Sequence, residues 1–496
     1  MGLALHAGAL LFLHRHVFAA TRDAYDLFWH LASGRVIHET GAVPRADPFC
    51  FTSQGLDWVQ MDWLSDLLLY RSYLLLGFAG PPALASVAVV LTLVTLLQSA
   101  RARGAHALPT LLAIAPAALL LSQNGDVRPR LFSYLLLALT LLVLDRPDPQ
   151  RRLAWPWAAF LGALMAIWLQ LHGEALLGLG VLLLEAATSA FGAWREGSGW
   201  RCRRSGLLLL AAGGGVLVGG LLHPHGFAAM GEAVRNTLLT SGAPIYRAFG
   251  DAQPLDPSGS AGRLVEVGGA VLVVALVAGG PRPGLRDALL SLGLLHVTLN
   301  AQRAVIPLSV VVAPWAALTL TGALERGPPL VAGPHLALER RLGPAVRWLR
   351  LSLLGGLLLW LVLGVPARAT PGRPGLLPSQ GWRGVPLKAT AWLLASGRQG
   401  KLFNEYSTGG LLAWALYPQR RTFVDGRANL HHKGPALEQY FTVTWLQPGW
   451  RPLLEASGVE LVLSSRAQPL PNALRELGWP AVYEDEEWVI LERPRR

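Results

Sequence analysis

The sequence is dominated by apolar stretches long enough to cross a bilayer, and nothing else in it constrains the fold as strongly. Crossing about 30 Å of hydrocarbon takes roughly 20 residues of helix. Candidate spans lie near 1–20, 81–100, 107–122, 129–145, 153–171, 174–192, 206–222, 264–280, 286–300, 303–323 and 350–366. They predict a mainly α, polytopic bundle of about eleven transmembrane helices. Composition agrees, with 52% hydrophobic and only 15% charged residues, against roughly 25% charged in soluble domains. That balance excludes a disordered chain, a coiled coil and an ordinary soluble enzyme. A net charge of +12 would point to nucleic acid in a soluble protein. In a membrane protein it reflects basic cytoplasmic loops, so no nucleic-acid partner is expected. The two cysteines, Cys50 and Cys202, give no disulfide framework.

Alternate loops carry the arginines: Arg101 and Arg103; Arg146, Arg151 and Arg152; Arg195, Arg201, Arg203 and Arg204; Arg282 and Arg286; and Arg326, Arg340, Arg341, Arg347 and Arg350. The positive-inside rule places these loops, and the N-terminus, in the cytoplasm. Segment 21–80 and the tail are then extracytoplasmic, which for a bacterial inner-membrane protein is the periplasm. The domain division follows: a transmembrane domain at 1–366 whose first outer loop is 21–80, a linker at 367–382, and a small soluble domain at 383–496.

The first outer loop is rich in polar and aromatic residues. Asp26 and His30, four apart, share a helix face. Phe28 and Trp29 suit an amphipathic helix at headgroup level, and the short apolar helix Leu64–Leu76 reads as interfacial. Of the acidic residues Asp23, Asp26, Asp47 and Asp62, Asp47 before Pro48 fits a turn and Asp62 fits the cap of the helix starting at Trp63. Asp26 sits among aromatic side chains, where partial desolvation makes a carboxylate a stronger base. It is the leading catalytic candidate, with Asp47 and Asp62 behind it. Other outward turns repeat the polar pattern: Asn124 to Arg130, Trp168 to Glu174 with His172, His223 to Gly226, and Asn300 to Arg303. Arg128, Arg130 and Arg303 break the inside bias. Guanidinium groups bind phosphate oxygens in a bidentate way, and snorkelling to lipid headgroups is the plainer alternative. Thirteen histidines show no His-Glu-x-x-His spacing; the sequence points to no definite cofactor, and a divalent metal stays open.

All three lysines, Lys388, Lys401 and Lys433, fall in the tail. Its pattern predicts helix 387–396, strand 401–405, helix 409–417, strand 421–425, helices 435–445 and 449–456, strand 459–464, helix 470–477 and a hairpin at 481–492, an α/β arrangement. A βαβ unit over 401–425 would make its two strands parallel. Asn404, Asp425 and Arg427 would then meet at the carboxyl edge of the sheet, where such folds bind ligands.

Asp26-Leu-Phe-Trp-His30 with Gly34, then Pro44, Asp47, Pro48 and Phe49, then Trp58 and Asp62-Trp63-Leu64, resembles the first outer loop of bacterial GT-C-type membrane glycosyltransferases. The resemblance continues through Arg128-Pro129, Trp168, His172-Gly173, His223-Pro224, Gly226, Arg303 and Pro307. It extends into the tail at Phe403-Asn404-Glu405-Tyr406, Gly409-Gly410, Asp425-Gly426-Arg427 and Tyr483-Glu484-Asp485. It implies an enzyme that moves sugar from a polyprenyl-phosphate donor to a glycan, lipid or protein acceptor on the outer side, with an acidic residue of the first outer loop as base. Asp26 is the matching position. The expected mechanism is inverting transfer, with His30, Trp63, Arg128, Arg130, His172, Glu174, Arg303, Asn404, Asp425 and Arg427 as substrate-binding candidates. Ala24 stands where many relatives carry a second aspartate, which weighs against an acidic pair holding a metal. The rival readings are a flippase or transporter of a lipid-linked glycan, a glycan ligase or polymerase, and a non-catalytic scaffold.

Overall fold

A computed structural model describes residues 25–123, 127–146, 154–242, 252–327, 333–337, 339, 348–355, 376–378, 382 and 384–494, with the side chains of 238–242 excepted. The expected span at 1–20, most of that at 350–366, Asp23, Arg151, Arg152, Arg340, Arg341, Arg347 and most of the linker lie outside these residues. The chain divides into two compact units. The first holds Ala83–Gly125 and Pro129–Pro366, and the second holds Thr21–Pro82, Asp126–Arg128 and Ala367–Arg496. The first outer loop therefore belongs to the same unit as the tail.

The first unit is helical: α3 (Gly80–Ala102, which begins in the second unit), α4 (Ala107–Gln123), α5 (Arg130–Asp145), α6 (Ala154–Leu171), α7 (Ala175–Glu196), α8 (Gly199–Leu222), α9 (Ala228–Gly242), α10 (Ser260–Val277), α11 (Leu285–Asn300) and α12 (Val305–Arg326). Among the described residues six helical runs are long and apolar enough to cross a membrane, and α4 is a shorter apolar helix. The chain is a multi-pass membrane protein. Helix α9 has no counterpart among the expected spans, because its residues are less apolar than those of its neighbours. Helix α12 is the buried centre and packs on α4, α5, α10 and α11. Helix α8 lies along both α6 and α7. A methyl group on Gly215 would meet Met165 and the Gly162 carbonyl, and one on Gly219 would meet Leu169 and Ala166. Small residues at these points let the two backbones close up.

At one end of this unit Arg103 bridges Asp145 (2.7 Å) and Asp287 (2.6 Å), Arg286 bridges Asp145 (2.7 Å) and Glu185 (3.4 Å), and Arg204 bridges Glu185 (2.9 Å). Three guanidinium groups meet three carboxylates and tie together α3, α5, α7, α8 and α11. Arg103, Arg204 and Arg286 come from three of the alternate loops, so those loops share an end. Their charge is neutralised by acids within the bundle rather than left free.

In the second unit α1 (Leu27–Thr40) packs on α2 (Trp63–Leu76). The expected amphipathic surface helix is instead a core helix: Leu27, Phe28, His30, Leu31, Ala32, Ser33, Gly34, Val36 and Ile37 are all buried. Its second face is covered by the tail, a contact that local periodicity cannot show. Gly34 makes the α1–α2 approach possible, since a Cβ there would overlap the Asp66 carbonyl and the Tyr70 Cβ. Gly34→Val should therefore lower stability by about 1–3 kcal/mol through overpacking, read as a lower melting temperature of the purified protein. Helix α2 passes through one 3-10 turn at Gly77–Ala79 into α3, so the segment read as interfacial joins the span expected at 81–100.

The tail forms α13 (Leu387–Ala395), β1 (Lys401–Asn404), α14 (Gly409–Leu416), α15 (Ala428–His431), α16 (Ala436–Thr444), α17 (Trp450–Ala456), β2 (Val459–Ser465), α18 (Leu470–Glu476), β3 (Ala481–Glu484) and β4 (Trp488–Glu492). The sheet order is β1-β2-β4-β3. Strands β1 and β2 are parallel, and β4 is antiparallel to both β2 and β3. Leu402, Leu412, Leu461, Leu463 and Ile490 fill the core. The expected strand 421–425 does not join this sheet, so the predicted parallel pair over 401–425 is not formed. Thr422 instead pairs with the first loop, with Thr422 N–H donating to the Phe49 carbonyl (2.9 Å) and Phe51 N–H to the Thr422 carbonyl (3.0 Å). The Asn404 side chain supplies the remaining support. Its Nδ2 donates to the Val424 carbonyl (2.8 Å) and its Oδ1 accepts from Phe423 N–H (2.8 Å), doing for this segment what a neighbouring strand would do.

Candidate active site

Asp26 immediately precedes α1, and its side chain makes no capping bond to the helix. Its Oδ2 lies 3.3 Å from Arg128 Nη1, and its side chain keeps 24% of its exposure. The other expected acids of this loop are placed differently. Asp47 is buried, accepts from Phe49 N–H (2.9 Å) and Cys50 N–H (3.3 Å), and pairs with Arg427 (2.8 Å). That confirms its turn and engages its carboxylate. Asp62 precedes α2 without the expected side-chain capping bond, and Trp63 opens the helix, half-buried.

The glycines of the tail motifs shape the seat of Asp26. A methyl group on Gly426 would run into Asp26 Oδ1 and then Trp29 Nε1 (3.0 Å). One on Gly410 would meet the Tyr25 carbonyl (3.0 Å) and Trp29 N (3.2 Å), and one on Gly409 would overlap Val424 and Asp425. These glycines are needed for close approach.

Asn404, Asp425 and Arg427 were expected as ligand contacts at a sheet edge, and all three are buried. Arg427 donates to Asp425 (2.6 Å) and Asp47 (2.8 Å), with its guanidinium carbon 4.4 Å from the Trp58 ring centre and 5.0 Å from that of Phe49. Burial alone would raise the Asp425 carboxyl, but Arg427 and His431 hold it well below the usual carboxylate range. Burial, then Asp425 and Asp47, pushes the Cys50 thiol up. Cys50, Asp425 and His431 offer ligand atoms within 4.8 Å of one another, close enough for one metal ion. The fit is poor, because Arg427 is also 3.7 Å from Cys50 Sγ and already supplies the cation there.

Within the first unit two of the outward turns meet at Ser133 and His172. Ser133 Oγ accepts from Trp168 Nε1 (2.8 Å) and bonds His172 Nδ1 (2.9 Å). Glu174 lies 3.7 Å from His172 Nδ1. Burial raises the Glu174 carboxyl against the opposing fields of Arg130 and Arg303. So α5, α6, α7 and the turn before α12 bring two arginines to one carboxylate. Arg128 and Arg130 are separated by one proline in sequence, yet Arg128 belongs to the second unit and Arg130 to the first.

The sequence reading missed Asp66, which is fully buried, pairs with His30 Nδ1 (2.5 Å) and accepts from Gln60. Its signal was present as a carboxylate inside an apolar helix. Cys50, Ser53 and His431 were also missed. His431 Nδ1 lies 2.7 Å from Ser53 Oγ across most of the chain length, a partnership without a local signal.

No protein-family model and no curated protein sequence matches the chain. Solved structures do. ArnT from Cupriavidus metallidurans bound to undecaprenyl phosphate is 16% identical with a TM-score of 0.52, covering 99% of each chain. ArnT in the apo state superposes with a TM-score of 0.53 at 15% identity, again covering 99% of each chain. Archaeal oligosaccharyltransferase AglB from Archaeoglobus fulgidus, in complex with an inhibitory peptide and a dolichol-phosphate, gives 0.51 at 12% identity, covering 94% of this chain and 69% of that one. The chain has the fold of GT-C-type membrane glycosyltransferases.

Proposed function

We propose that the protein is an inverting glycosyltransferase that takes its sugar from a polyprenyl-phosphate donor, with Asp26 as general base. The observation that carries this reading is the Asp26 carboxylate: partly exposed, 3.3 Å from Arg128 and seated against Gly426. The lipid phosphates in the neighbouring structures support the donor class. The reaction is one displacement. The acceptor oxygen forms a bond to the anomeric carbon as its proton passes to Asp26. The bond from that carbon to the phosphate oxygen breaks, and the polyprenyl phosphate leaves with the electron pair. Guanidinium groups are the natural partners of the charge growing on that phosphate, and Arg128, beside Asp26, supplies one. The basic-loop pattern supports transfer on the extracytoplasmic side of a bacterial inner membrane.

Proteoliposomes given labelled polyprenyl-phosphate sugars test the reading. Release of lipid phosphate together with a glycosylated product is expected for one donor. Movement of the label across the bilayer without bond cleavage would make the protein a transporter. Neither movement nor cleavage with any donor would overturn the transferase.

A further inference from the structure

We propose that Trp29 is a second residue touching the reacting groups, its indole N–H and the Asp26 carboxylate together holding the attacking oxygen, which makes the acceptor an alcohol rather than an amine or amide. The inference rests on Asp26 being the base. Trp29 Nε1 is buried, and among the described residues it has no hydrogen-bond partner. A buried indole N–H usually has one. This N–H is next to Asp26: the same point on Gly426 is crowded by Asp26 Oδ1 and Trp29 Nε1. The ring is held in place from beneath. Its centroid is 3.6 Å from that of His30, and His30 is held by Asp66 at 2.5 Å. Asp66 and His30 are thus positioning residues for the indole.

A donor N–H beside an acceptor carboxylate fits a group that accepts one hydrogen bond and donates one, which is a hydroxyl. In the displacement, the hydroxyl proton goes to Asp26. One oxygen lone pair stays on the indole N–H, and the other forms the bond to the anomeric carbon. An amine has a single lone pair, so it cannot both accept the indole hydrogen bond and attack. An amide nitrogen has no free pair to offer either role. The indole therefore fixes the lone-pair direction of the nucleophile and selects against nitrogen.

The test uses the full chain in proteoliposomes with whichever labelled polyprenyl-phosphate sugar the wild type turns over, comparing wild type, Trp29→Phe, Asp66→Asn and Asp26→Asn. Trp29→Phe keeps a ring and loses only the N–H. It should lower kcat/KM for the acceptor about tenfold, the worth of one hydrogen bond, with the donor KM and the melting temperature unchanged. Asp66→Asn should move the acceptor KM in the same direction while leaving the donor KM alone, a split that loss of folding would not give. The product should carry an O-glycosidic bond. An N-glycosidic product overturns the inference. So does Trp29→Phe at the wild-type rate while Asp26→Asn is inactive, and that result leaves the transferase standing. An active Asp26→Asn removes the base assignment and the inference with it.

Discussion

Asp26→Asn should reduce sugar transfer by about 10²–10⁴, the usual worth of a general base, and leave the protein folded in the membrane. The two side chains have nearly the same shape, so the seat against Gly426 and Trp29 is kept. Asparagine still accepts a hydrogen bond from Arg128, but it cannot take a proton from the acceptor. The lost Asp26–Arg128 ion pair is partly exposed on both sides, and such pairs contribute about 0–1 kcal/mol. The variant should therefore melt close to the wild type while its turnover falls, and the two measurements together separate loss of chemistry from loss of fold. Transfer at a rate near the wild type's would remove Asp26 as the base. A parallel fall in melting temperature would make its role structural.

The helices and most tail elements were legible because their signal is local. The apolar runs behind α4 to α8 and α10 to α12 carry their own length, and β1, β2 and the β3–β4 hairpin carry their own alternation. What the sequence concealed depends on partners far along the chain. Segment 421–425 has the composition of a strand, yet Phe49 and Phe51 take its backbone bonds and Asn404 takes the rest. Asp425-Gly426-Arg427 reads as a polar strand end open to ligand, and Asp47 and Trp58 close it from the first loop. Helix α1 looked amphipathic because its second apolar partner lies in the tail. The candidate base was legible for the opposite reason: Asp26 stands out by its aromatic neighbours in sequence, and no distant acid is needed to notice it. Asp66 was overlooked because the apolar run around it masked the one charge that the run has to bury.

Arg427→Met should be the most destabilising single change in the second unit, by about 3–5 kcal/mol, because removing one partner of a buried ion pair strands the other. Here it strands two carboxylates, Asp47 and Asp425, and removes the cation stacked on Trp58 and Phe49. The pH dependence has a definite sign. In the wild type the folded Asp425 carboxyl is depressed, so its contribution is present at neutral pH and is lost only as pH falls below about 4, the unfolded value. Without Arg427, burial favours the protonated Asp425 carboxyl, so the folded variant holds a proton that the unfolded chain releases. Its stability should then fall as pH rises from about 5 to 7 and recover on acidification, opposite to the wild type over the acidic range. Melting temperatures of the purified variant across that interval check this. Adding Asp47→Asn and Asp425→Asn to Arg427→Met should restore part of the loss at neutral pH and flatten the pH dependence, since no buried charge is then left unpaired. If the single variant melts like the wild type at every pH, the Asp425-Gly426-Arg427 segment does not hold the first loop to the tail, and the motif would have to be read again as a ligand site.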